Sequence, residues 1–409
     1  MSSLVCRGCG QIATDSFVDL GVQPLSNAYI RRQDADRPET FYPLHPLVCR
    51  HCYLVQLPVF ASPESIFRDY AYFSSFSTSW LEHVHLHVAR SIERQELNSQ
   101  SFVVEVASND GYLLKSFVAA GVRVLGVEPA ENVAEAARAA AVPTTSTFFG
   151  ACTADEIAAE HGKADMMLAN NVLAHVPDLH DFIEGFRRLL ASEGIATFEF
   201  PHLVPLIEQT QFDTIYHEHF SYLSLLAVEP IFSAHGLRIV DIERLTTHGG
   251  SLRLWVVHEG SSHEISPSVA ALHAIEKAAG LDRIDTYHAF EERVRTIKRR
   301  LLKFLIGARE RGESVVGYGA AAKGNTLLNY CGVRGDLLDF VVDRSPHKQG
   351  TLLPGSRLAV RPVEALIEAA PDFVLILPWN LKAEIIEQMA IVRSWSGRFV
   401  TAIPEITVT

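Results

Sequence analysis

The chain has 409 residues, 48% hydrophobic and 21% charged, an ordinary globular composition with length for two or three domains. A formal net charge of −12 sets the whole-molecule field against DNA, RNA and anionic membranes. The start lacks the basic, apolar and small-residue order of an export signal. No window approaches the roughly 18 apolar residues of a membrane span, so a soluble cytoplasmic chain, expected as a monomer, is the reading.

Four of the six cysteines form two CxxC pairs, Cys6-Arg7-Gly8-Cys9 and Cys49-Arg50-His51-Cys52. Each such knuckle turns two thiolates toward one ion, and two knuckles complete a tetrahedral sulfur shell for Zn2+. Redox CxxC motifs sit beside βαβ patterns, which this segment lacks. Nor is there a Lys/Arg cluster of the kind a nucleic-acid-binding ribbon carries. A shell of four thiolates leaves no open coordination position, so the zinc is read as structural, in a module covering 1–68 with a small subdomain between the knuckles.

A helix is predicted over Ser79–Glu96, followed by a strand, Phe102–Ala107. Ser108-Asn109-Asp110-Gly111 reads as a turn, Tyr112–Ala120 as a helix, and Val122–Val127 as a second strand ended by Glu128. The alternation predicts a parallel sheet with ligands at the strands' carboxyl ends. An acidic residue there suits the hydroxyls of a ribose. The first turn has a single glycine and fits the diphosphate fingerprint poorly; a nucleoside with an amino-acid tail, S-adenosylmethionine (SAM), fits better, with Glu105 and Gly111 at the methionine end. A third strand, Asp165–Leu168, runs into Asn170-Asn171-Val172-Leu173-Ala174-His175, which places His175 over that cofactor.

Tyr216-His217-Glu218-His219 gathers four titratable side chains. Methylating carbon requires a base to take a carbon-bound proton and a donor for the enolate oxygen. His219 oriented by Glu218 is the expected base, with Tyr216 as the donor. Zinc sites on helices space their histidines by one turn, and His217 and His219 do not.

From Arg293 a basic helix leads to the strand and turn Ser314–Gly324, which holds Gly317, Gly319, Gly324 and Lys323. Amides at the start of the next helix bind phosphate oxygens in such folds. The following strand, Leu338–Val342, ends at Asp343, with Arg344, His347 and Lys348 beyond it. Alone, this segment also fits an NAD-dependent dehydrogenase.

The set CRGCG and CRHC, VASNDGYLL, ANNVLAHV, YHEHFSY, HGGSLR and GYGAAAKGNTLLNYCG with VDRSPHKQG resembles, in order and over nearly the whole chain, the SAM-dependent C-methyltransferases of nucleotide-linked 4-keto-deoxysugars. The resemblance implies an α/β architecture: a zinc module, a methyltransferase domain over 69–285 and a C-terminal Rossmann-like domain over 286–409. It implies methylation of the carbon beside the ketone, C3 or in some relatives C5, of a nucleotide-diphosphate sugar lying between the α/β domains. SAM-dependent O- or N-methylation is the alternative. By similarity the catalytic residues are His219, Tyr216, Glu218, His175 and a tyrosine of the segment after the zinc module, Tyr70 rather than Tyr72. The SAM contacts are Glu105, Ser108, Asn109, Gly111, Glu128 and Asn171. Substrate contacts are Tyr72, Arg253, Gly319, Lys323, Asn325, Asp343, Arg344, His347 and Lys348. Ala107 stands where most SAM proteins carry glycine.

Overall fold

The structure is a computed structural model that describes residues 4–62, Glu64 and 78–409; Tyr70 and Tyr72 lie outside the described residues. The chain forms two compact, discontinuous units. The first comprises 1–14, 49–202 and 220–282, and the second 15–48, 203–219 and 283–409. The stretch between the cysteine pairs, expected as a small subdomain of a zinc module, therefore belongs mostly to the second unit, while the cysteines belong to the first.

The first unit opens its main sheet after helix α1 (Thr78–Arg94), whose Val84 and Val88 are buried one turn apart. Strand β1 (Phe102–Val106) is buried at every position, as a strand covered on both faces must be. Helix α2 (Leu114–Ala119), β2 (Arg123–Val127), α3 (Glu131–Ala139), β3 (Thr144–Thr145), α4 (Ala151–His161), β4 (Ala164–Asn170), α5 (Leu179–Leu189) and β5 (Leu190–Pro201) continue the alternation. After α6 (Leu225–Ala234) come β6 (Leu237–Leu245), β7 (Ser251–His258) and α7 (Pro267–Ala278). The sheet order is β3-β2-β1-β4-β5-β7-β6. Strands β1 to β5 pair in parallel, and β7 runs antiparallel to both neighbours. The order reverses at β1 and β4, so their carboxyl ends open the crevice in which α/β sheets bind ligands. Val103, Leu113, Phe117, Met166, Leu168 and Trp255 fill the core beneath.

In the second unit, helix α8 (Phe290–Glu310) precedes β8 (Val315–Tyr318), α9 (Ala322–Cys331), β9 (Val341–Val342), β10 (Val360–Arg361), α10 (Glu364–Ala369), β11 (Phe373–Ile376), α11 (Lys382–Gln388), β12 (Arg398–Thr401) and β13 (Thr407–Val408). The sheet order is β10-β9-β8-β11-β12-β13, with only the last pair antiparallel. Strand β9 holds two residues where five are predicted from Leu338. Gly319 at the β8 turn has φ +90°, and a Cβ there would lie 2.5 Å from Pro378, so only glycine fits. No helix among the described residues is long and apolar enough to cross a membrane.

Candidate active site

At the carboxyl end of β1 the chain makes a tight turn. Ala107 N–H donates to the Val127 carbonyl (2.7 Å), and Gly111 N–H to that of Ser108 (3.0 Å). Ala107, Asn109 and Gly111 take left-handed φ values of +55°, +50° and +73°. Asparagine and glycine tolerate that region; alanine does so at a cost. A Cβ on Gly111 would also meet Val142 at 2.9 Å.

Glu128, buried after β2, accepts the Asn109 and Ala130 amides, each at 2.9 Å. Around this turn lie buried polar atoms that no described residue satisfies: both oxygens of Glu105, Ser108 Oγ, Asp110 Oδ1, both amide atoms of Asn170 and Asn171 Oδ1. Burial, then the nearby Glu128 and Asp110 charges, push Glu105 well above the ordinary carboxylate range. Native interiors satisfy such atoms, so this concentration marks a place for a polar ligand. Asn171, at φ +56°, donates its N–H to the Glu199 carbonyl at 2.7 Å. His175 closes the short helical turn Leu173–His175 beyond β4.

The two knuckles are built alike. Cys6 N–H donates to the Gln11 carbonyl, and the Cys6 carbonyl accepts Gly10 N–H; Cys49 repeats both bonds with Leu54 and Tyr53. All four sulfurs lie within 4.8 Å of one another, with Cys6–Cys52 at 3.5 Å and Cys9–Cys49 at 3.6 Å. Tetrahedral Zn–S bonds require about 3.8 Å between sulfurs, so Cys6, Cys9, Cys49 and Cys52 fit one zinc ion.

Within the second unit, Tyr216 to His219 follow the short turn Phe212–Thr214. His219 Nδ1 lies 3.0 Å from the Thr214 carbonyl. A carbonyl only accepts, so Nδ1 carries the proton, and Nε2 is the basic nitrogen of the neutral ring. The Tyr216 ring lies against it, centroids 4.1 Å apart. The expected Glu218–His219 hydrogen bond is replaced by two others. His219 takes the Thr214 carbonyl, and both Glu218 oxygens accept from Asn27 Nδ2, at 2.8 and 3.0 Å. Burial pushes Glu218 up to about 7 against the lowering effect of Asn27. His217 is fixed differently, by the Pro43 carbonyl at 3.2 Å and an edge contact with Tyr42.

The glycine turn after β8 converges on Ala320. Its carbonyl accepts from Tyr29 Oη (2.5 Å) and Lys348 Nζ (2.7 Å), and its N–H donates to Asp343 (2.7 Å). Gly319 N–H donates to the Val342 carbonyl. Lys323 Nζ donates to Asn380 Oδ1 at 2.7 Å and lies 4.9 Å from the Trp379 ring. The indole N–H of Trp379 donates to Asp213 at 2.8 Å. Burial pushes Asp213 up to about 7, partly offset by Lys323 and Trp379. Asn325 donates to the Ser26 carbonyl (2.6 Å) and Arg344 to Gln388 (3.2 Å), while His347 is exposed.

Arg253 departs from its expected role as a substrate contact. Facing Glu199 across β5 and β7, its side chain is 2% exposed and bonds Glu199 at 2.6 Å and Glu243 at 3.2 Å. Its charge is consumed inside the sheet. Burial raises Glu199, but His83 and Arg253 outweigh it and hold the carboxyl down at about 2.

A zinc binding domain model matches residues 6–67, a methyltransferase domain model 80–242, and a C-methyltransferase C-terminal domain model 246–404. The C-methyltransferase NovU of Streptomyces niveus is 37% identical over 400 residues, 98% of this chain and 95% of NovU. This chain belongs to the C-methyltransferase family. Among solved structures, the magnesium protoporphyrin IX methyltransferase of Synechocystis with bound SAM is 17% identical, with 44% of this chain and 79% of that one covered and a TM-score of 0.34. For PH0226 of Pyrococcus horikoshii the figures are 15%, 46%, 94% and 0.38. Both likenesses are slight.

This C-methyltransferase is thus an enzyme with a zinc-binding segment and two Rossmann-like sheets. The unsatisfied atoms of Glu105, Ser108 and Asn171, with the glycine cradle at Gly111, suit the amino-acid and nucleoside groups of SAM. Sequence reasoning missed Asn27, Tyr29, Thr214, Asp213, Trp379 and Asn380. Trp379 and Asn380 follow a parallel strand's carboxyl end, a place topology favours for ligand contacts. Asn27 and Tyr29 carry no such signal.

Proposed function

We propose that this enzyme methylates the carbon beside the ketone of a nucleotide-diphosphate 4-keto-deoxysugar. Glu105, Ser108, Asn109, Gly111, Glu128 and Asn171 hold SAM, whose sulfonium supplies an electrophilic methyl group. His219 Nε2 takes the proton from the carbon beside the ketone. Tyr216, against the same imidazole, donates to the developing enolate oxygen, and the family resemblance adds His175 and Tyr70 to the catalytic residues. Glu218 adds a buried carboxylate one residue from the base, whose charge favours the imidazolium formed on proton uptake. The turn of Gly319, Asp343 and Lys348, with Lys323 and Asn325 on the following helix, Arg344 and His347 beyond the next strand, and Tyr72, serves the nucleotide sugar.

The observation that carries this reading is the 3.0 Å approach of His219 Nδ1 to the Thr214 carbonyl, an acceptor that calls for the proton on Nδ1 and makes Nε2 the basic nitrogen. A carbon acid needs such a base, whereas many hydroxyl or amine acceptors need a weaker one. Product NMR on a panel of nucleotide-linked 4-keto-deoxysugars tests it. A new methyl signal on carbon is expected; a methoxy or N-methyl signal would favour the O- or N-methylating alternative.

A further inference from the structure

The two cysteine pairs are separated by residues 10–48, a stretch to which neither zinc binding nor the sheets assign chemistry. Within it the turn Ser26–Tyr29 is clamped on both sides. The Ser26 carbonyl accepts from Asn325 Nδ2 at 2.6 Å, and Tyr29 Oη donates to the Ala320 carbonyl at 2.5 Å. Tyr29 N–H bonds the Asn27 carbonyl at 2.9 Å, which tightens the turn. Ile30–Arg31 then pairs with Thr351–Leu352. Asn27 stands inside this clamp with its amide nitrogen 2.8 and 3.0 Å from the two oxygens of Glu218, 191 positions away in sequence. The two oxygens are too close together for separate bonds to one nitrogen, so a single N–H lies between them. A neutral amide in that position stabilises the ionised carboxylate without adding a charge of its own.

We propose that Asn27 is a positioning residue of the methyl-transfer site, delivered by the stretch between the cysteine pairs to hold the Glu218 carboxylate. This rests on the role given to Glu218 above. Asn27 touches no reacting atom; it acts through Glu218, and its donor is held in place by the Ser26 and Tyr29 clamps, so little ordering remains to be done when substrate binds.

The test is a double-mutant cycle in the zinc-loaded full chain, with SAM affinity and zinc content checked in every variant. Asn27→Asp keeps the side chain's size but turns the donor into an acceptor. Hydrogen bonds to charged groups are worth enough that turnover should fall roughly 10- to 100-fold, with SAM affinity and zinc content unchanged. In a Glu218→Gln background, where the amide at 218 donates to a carboxylate at 27, the same change should add little further loss. Wild-type turnover in Asn27→Asp, or an undiminished loss in the Glu218→Gln background, would overturn the proposal. Full turnover in Glu218→Gln alone would remove the role of Glu218 itself, an outcome distinct from either.

Discussion

The imidazole of His219 has its tautomer set by a backbone carbonyl 3.0 Å away rather than by an acid. A carbonyl fixes the ring without offering a proton, which suits a base that must be neutral before it acts. Removing a general base costs roughly 10²–10⁴-fold. His219→Asn should therefore lose that much turnover while SAM binding, read by calorimetry, stays at wild-type strength; near-normal turnover would exclude the role. Backbone conformation gives a second prediction at this scale. Ala107 at φ +55° and Gly111 at φ +73° share one turn, yet only Gly111 is also crowded by Val142. Ala107→Gly relieves an unfavourable conformation and should leave stability unchanged or raised by up to about 1 kcal/mol. Gly111→Ala should lower both stability and SAM affinity. Urea unfolding and calorimetry of the two variants check the contrast.

At the level of elements, two buried carboxyls on different strands and turns set opposite pH dependences. Glu218 rises from an ordinary 4.5 to about 7 through burial. A raised carboxyl contributes stability that is complete below 4.5 and lost as pH climbs through 7. Glu218→Gln should therefore flatten the decline in stability between about pH 4.5 and 7, and an unchanged slope would show that Glu218 is not the source. Glu199 is depressed from 4.5 to about 2 by His83 and Arg253 acting against burial. Its contribution is present above 4.5 and disappears as pH falls toward 2. Cutting the His83 partner with His83→Ala should bring acid unfolding to higher pH, measurable by circular dichroism. The sequence disclosed β1 and its turn because an unbroken apolar run ending in Ser-Asn-Asp-Gly has few other readings. It singled out Tyr216 to His219 as catalytic candidates because four titratable side chains stand there in a row. It did not disclose the Glu199–Arg253 pair, since these residues meet only through the antiparallel register of β5 and β7, which 54 positions of chain separate.

For the whole molecule, the interleaving of the two units is what the linear reading could not reach. Cys6, Cys9, Cys49 and Cys52 announce zinc by spacing alone. That residues 15–48 cluster with the glycine-turn half depends on contacts such as Glu39 with Arg357 at 2.8 Å, and on Asn27 with Glu218, which no local pattern encodes. The stretch that carries Asn27 runs between the two cysteine pairs in sequence, so chelating zinc should lower turnover as well as stability, and adding zinc back should restore both. Turnover that survives complete zinc loss would separate the metal from the site. The most direct test of the chemistry is deuterium exchange without any methyl donor. A nucleotide-linked 4-keto-deoxysugar that the enzyme methylates is incubated in heavy water without SAM, and its α-proton is followed by NMR. Wild type should wash that proton out and His219→Asn should not; equal exchange by the two proteins, or methylation on carbon by the variant at the wild-type rate, would contradict His219 as the base.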